Sequence, residues 1–96
     1  MENDEKFENI VRTIKREVKL NFKIGEKLIN ERIGKKKVIY ANMGDFLIYI
    51  WQKRPNEWVV TSRNDKVSHL NSWSCDCERE ICKWLKIEKE YINAHS

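Results

Sequence analysis

Three cysteines fall close together near the C-terminal end of this chain, in the stretch Trp73-Ser74-Cys75-Asp76-Cys77-Glu78-Arg79-Glu80-Ile81-Cys82-Lys83-Trp84-Leu85. An odd, clustered set argues against the even, dispersed framework of a disulfide-stapled secreted domain and toward metal binding. Cys75 and Cys77 are two residues apart at the end of a predicted strand, so alternation puts both thiols on one side. Cys82 opens the last predicted helix, whose N-terminus would favour a thiolate. Zinc suits such sulfur donors but takes four ligands. The fourth is open. His69 is about 20 Å away along a straight strand, and His95 is about 20 Å away along an unbroken helix. Glu78 and Glu80 are nearer, and a second chain or a water can also complete such a site. The metal-free alternatives are free thiols packed in the core or a disulfide.

The second candidate chemistry is electrostatic. The chain has 19 Lys+Arg against 15 Asp+Glu, a net charge of +4. The excess is concentrated between Arg12 and Lys37, where ten basic residues face Glu17, Glu26 and Glu31. A stretch of this kind can contact nucleic-acid phosphates or form an ordinary solvated face. Lys35, Lys36 and Lys37 are the first candidates for such contacts, with Lys23, Lys27 and Arg32 extending the patch. Lys53, Arg54, Arg63 and Lys66 add charge at turns. Trp51, Trp58 and Trp73 can stack on single-stranded bases if exposed, with core packing as the alternative.

The elements that must position these groups follow from periodicity. Phe7, Ile10, Ile14 and Val18 recur at helical spacing, with Val11 beside them. Asn3 or Asp4 is a candidate cap, and Glu5 and Glu8 suit the positive end of the helix. A second short helix is expected around Leu28, Ile29 and Ile33, stopped by Gly34. Four strands are then expected at 37–42, 46–52, 57–62 and 66–74, with turns at Met43-Gly44-Asp45, Arg54-Pro55-Asn56 and Asn64-Asp65. The strand at 46–52 is apolar on both faces and belongs in the middle of a sheet. Ile81, Trp84, Leu85, Glu88, Tyr91 and Ile92 define a C-terminal helix. The expected fold is α+β: a helical extension at 1–33, then a four-stranded antiparallel meander joined by a cysteine-rich turn to the last helix, at 34–96.

A strand ending in Cys-x-Cys, a short loop and a helix beginning Cys-x-His is the SWIM zinc-finger pattern, and this sequence resembles it over about residues 25–88. Ile33-Gly34-Lys35 leads into Val38-Ile39-Tyr40, Trp58-Val59-Val60 matches a later strand of that family, and Cys82-Lys83-Trp84-Leu85 stands where the family has Cys-Lys-His-Leu. The resemblance implies Cys75, Cys77 and Cys82 as zinc ligands and a role in binding DNA or protein, without catalysis. Trp84 departs from the pattern, because an indole offers only an N–H donor and no lone pair to a metal.

Length and composition bound the rest. A chain of 96 residues makes one small domain. No apolar run is long enough to span a bilayer. The acidic first residues are wrong for a secretory n-region, which makes an intracellular protein the expectation. No glycine-rich phosphate loop or paired acid–base carboxylates stand out, and a Cys75–His69 nucleophile is the weakest reading. The expected function is therefore nucleic-acid binding through the basic patch. The alternative is an adaptor or small inhibitor of the viral accessory kind. It would use the Phe7-to-Val18 stripe, which could equally form a homodimer.

Overall fold

A computed structural model describes residues 2–95, and their side chains from residue 5 onward. The elements run α1 (Glu2–Glu17), β1 (Lys23–Asn30), β2 (Gly34–Met43), β3 (Phe46–Arg54), β4 (Glu57–Asn64), a 3₁₀ turn (Asp65–Val67), β5 (His69–Cys75) and α2 (Glu78–Ala94). The sheet has five strands in sequence order, every neighbouring pair antiparallel. The α+β class and the meander stand, with one strand more than the four expected. The side chains of Asn3 and Asp4, read as candidate caps, lie outside the described residues.

The extra strand is a correction with a clear cause. The segment expected as a second helix is β1. Leu28, Ile29 and Ile33 do not share one helical face. Ile24 and Leu28 point to one side of the strand and are 38 % and 54 % exposed, while Ile29 and Ile33 reach the other side and pack there. The hairpin closes locally, with the Ile33 N–H donating to Asn30 Oδ1 at 2.8 Å. Gly25 is held to glycine by its neighbour: a Cβ there would sit 2.9 Å from Cε1 of Tyr40. Gly44 takes a left-handed φ of +61° in the two-residue β2–β3 turn, which an L side chain resists.

Register fixes the two faces of the sheet. Ile39, Ile48, Ile50, Trp58, Val60 and Cys75 point toward the helices and form the main core with Phe7, Ile10, Ile14 and Val18 of α1 and Ile81, Cys82, Leu85 and Ile92 of α2. Phe7 meets Trp58 edge-on, with ring centres 5.1 Å apart. Lys89 of α2 donates to the Val18 carbonyl at 2.9 Å and so satisfies a backbone acceptor just past the end of α1. On the opposite face Val38, Tyr49 and Trp51 are buried together under Ile29, Ile33, Tyr40, Leu47 and Val59.

Burying the four-residue stripe of α1 is worth about 6–12 kcal/mol at about 1.5–3 kcal/mol per side chain. That matches the whole net stability of a small domain, about 5–15 kcal/mol. A fragment spanning residues 34–96 is therefore expected to lack cooperative structure, while the full chain unfolds in one transition. Calorimetry and amide NMR spectra of the two chains check this.

Candidate functional site

The three thiols sit in unlike surroundings. Cys75 ends β5 and is buried at 2 % exposure, Cys82 is buried in the second turn of α2, and Cys77 is exposed as the N-cap of that helix. None is in a disulfide. Cys75 is the last residue of β5 and Cys77 lies beyond it, where the chain turns, so strand alternation does not relate the two. Among the described residues, the group whose donor atoms all lie within 4.8 Å of one another is Asp76, Cys77 and Glu80, which contains only one of the three cysteines.

The electrostatics agree with that placement. Burial, with the nearby Glu80 charge, pushes the Cys75 thiol up to about 11. Burial, then the Glu17 charge, also raises Cys82. A zinc ligand is a thiolate, and zinc binding releases the thiol proton, so a raised value makes binding at Cys75 and Cys82 costlier and more dependent on pH. The turn itself is closed by protein groups: the Asp76 N–H donates to Glu80 Oε1 at 3.2 Å. Hydrogen bonds from the Glu80 carboxyl and the Cys77 thiol hold Asp76 below the usual carboxylate range.

Both histidines considered as a fourth ligand make other contacts. His69 Nε2 lies 2.8 Å from Glu88 Oε2, and both side chains are nearly buried. The His69 ring stacks on Tyr91 at 4.9 Å, and Tyr91 stacks on His95 at 4.1 Å. His95 Nδ1 is 2.8 Å from the Tyr91 carbonyl oxygen, so its N–H donates there. Trp84 is half-buried and stacks on Trp73 with centres 5.3 Å apart and planes 14° apart, which gives the indole a packing role.

The basic residues divide. Lys23 and Lys27 lie on the face away from the helices, with Lys27 Nζ 5.1 Å from the centre of the Tyr49 ring. Arg32 is in the β1–β2 turn and Lys35 is exposed at the start of β2. Lys23, Lys27 and Arg32 thus belong to a hairpin, where a helix was expected. Lys36 and Lys37 do meet other cations. With Lys6, Lys53 and Arg54 they line a cleft of about 380 Å³ whose remaining walls are Phe7, Gln52 and Pro55. Val38 pairs with Trp51, so the start of β2 and the end of β3 share one end of the sheet, and the first turns of α1 reach the same place. Lys37 Nζ lies 5.2 Å from the centre of the Phe7 ring. Glu57 approaches Arg54 at 3.8 Å but is not part of the wall. Sequence reading passed over Lys6, which lies among the acidic residues Glu5 and Glu8 and carries no local signal of its role. Trp51 and Trp58 are buried and present no stacking surface.

The fold and its cleft define a small α+β domain with a cationic recess at one end of its sheet. No known protein family matches the chain, and no curated protein or solved structure does. Among the described residues no helix is long and apolar enough to cross a membrane.

Two predictions follow from the site. At pH 8 one thiol of the native chain should react rapidly with a disulfide reagent, and three after denaturation. Both buried thiols have folded-state values above their unfolded ones, so raising the pH from about 9 to about 11 should favour the unfolded chain. Thiol titration and alkaline denaturation check both parts. For the His69–Glu88 pair, His69→Ala should cost about 3 kcal/mol by stranding a buried carboxyl group. His69→Phe with Glu88→Leu should recover most of that loss, read by denaturant unfolding.

Proposed function

We propose that the protein is a non-catalytic nucleic-acid-binding module that grips the phosphate backbone of DNA in the recess formed by Lys6, Lys36, Lys37, Lys53 and Arg54. The observation that carries this reading is the convergence of five cations from three separate elements on one concave surface, with no acid among the described residues that line it. Charge concentrated in a cleft attracts a polyanion more strongly than the same charge spread over a flat surface. The burial of Trp51 and Trp58 removes base stacking as a main source of affinity, so the contacts are with phosphates and carry little sequence information. Lys23, Lys27 and Arg32 lie outside the lining of the recess on the β1–β2 hairpin, with Lys27 paired opposite Lys36.

The reading keeps the strand–turn–helix layout of the SWIM resemblance and does not require zinc. The adaptor and homodimer alternatives relied on the Phe7-to-Val18 stripe. Phe7, Ile10, Ile14 and Val18 are buried in this chain's own core, so that surface is already used.

A mobility-shift titration at two salt concentrations tests the proposal. Affinity should fall steeply with salt, with a slope of about −0.9 per phosphate contact on duplex. Lys36→Gln with Lys53→Gln should weaken binding to all sequences alike and make the slope shallower by about 2. Lys86→Gln, in the α1–α2 groove and not among the cleft residues, should change neither. Absence of binding to duplex or single strands at low salt would overturn the reading.

A further inference from the structure

The longest run without an Asp, Glu, Lys or Arg in this chain is at 67–75, nine residues in a sequence that is 35 % charged. The next longest, 38–44 and 46–52, lie in the inner strands β2 and β3 or the turn between them. The run at 67–75 instead leads into and forms β5, which is an edge of the sheet. Edge strands ordinarily carry a charge, a proline or a bulge that discourages pairing with another chain. The opposite edge obeys this rule: β1 has Lys23, Glu26 and Lys27 and a register irregularity between Leu28 and Asn30. β5 has none of these devices. Its seven residues pair with β4 without a shift, from Asn64↔His69 to Trp58↔Cys75. Alternate backbone groups of β5 must face away from β4, and no described backbone bond outside the ladder takes them up. Apolar and aromatic side chains lie along the strand, with Arg63 opposite Leu70 and Lys83 beside Trp84 as the neighbouring charges. Leu70 is 67 % exposed, Trp73 is half-buried, and Tyr91 is partly exposed over His69.

We infer that β5 is an antiparallel pairing edge for a second copy of this chain, which joins two five-stranded sheets into one of ten strands. A bare backbone edge is matched by an extended strand, and β5 is self-complementary. A two-fold axis through Ser72 sets Leu70 against Ser74 of the second copy, Asn71 against Trp73 and His69 against Cys75, so no like charges meet. The same operation on β1, centred on Glu26 or Lys27, puts like charges face to face. The inference is independent of the nucleic-acid reading, since the cleft and this edge share no residue.

Sedimentation of the full chain over a wide concentration range tests it. The expected result is a monomer–dimer equilibrium. Leu70→Lys with Ser74→Lys alters two exposed positions and sets lysine against lysine twice across the axis, so association should weaken about tenfold. Leu70→Lys with Ser74→Glu sets lysine against glutamate at both contacts and should associate like the unaltered chain. Hydrogen exchange on the unaltered chain gives a readout that needs no variant: outward-facing β5 amides should become protected as concentration rises. A monomer at every concentration, a dimer unaffected by the lysine pair, equal weakening by both double variants, or β5 exchange independent of concentration overturns the inference.

Discussion

β3 is apolar on both faces, and the rest of the fold answers that constraint. Ile48 and Ile50 point one way and are fully buried, while Tyr49 and Trp51 point the other way and are nearly so. A strand of this kind needs cover above and below. Among the described residues both α-helices lie on the same side, so the other side is covered by the sheet's own margin. The β1–β2 hairpin does this by bringing Ile29 and Ile33 against the Val38, Tyr49 and Trp51 cluster. β1 exists as a strand because that second face needs closing.

This explains which parts of the sequence were legible. The stripe of α1, the turns around Gly44 and Pro55 and the stripe of α2 are local patterns, and each appears where periodicity puts it. The segment at 23–33 was misread because its cue is tertiary. Lys23, Gly25, Lys27 and Ile29 alternate on one face of β1, but only Ile29 among them is a large apolar residue, and Ile24 and Leu28 on the other face remain exposed. The alternation is therefore masked, and the close spacing of Leu28, Ile29 and Ile33 imitates a helix. The 3₁₀ turn at Asp65–Val67 likewise shortened the last strand, with Asn64 Oδ1 accepting from the Lys66 N–H.

The cysteines were legible in position and misleading in environment. Cys75 ends β5 as expected, but on its helix-facing side, which is the main core. Cys82 falls one turn further into α2 than a helix-opening residue, where it also contributes to the core. Two of the three thiols thus behave as small apolar side chains. Trp84 and Trp73 fill the neighbouring space by stacking, and His69 is engaged by Glu88. Sequence spacing shows which side chains can meet, whereas burial shows which of them join the core.

The basic recess has a boundary that the charge count alone does not reveal. Lys6 and Pro55 also line a second, smaller recess with Asn9, Asn56, Trp58, Asp76, Cys77 and Glu78. The acidic cysteine turn therefore adjoins the cationic cleft at the same end of the molecule, because β4 begins where β5 ends. Asp76 is held in its charged form by its hydrogen bonds. On the proposed reading, a phosphate chain drawn toward Lys36, Lys37, Lys53 and Arg54 would meet a negative border beyond Lys6 and Pro55. Attraction on one side and repulsion on the other would then confine the polyanion to the cleft and give it a direction across the surface. In this arrangement the conspicuous cysteine turn contributes through the carboxylates beside its thiols, and its position next to the cleft follows from the antiparallel order of the sheet.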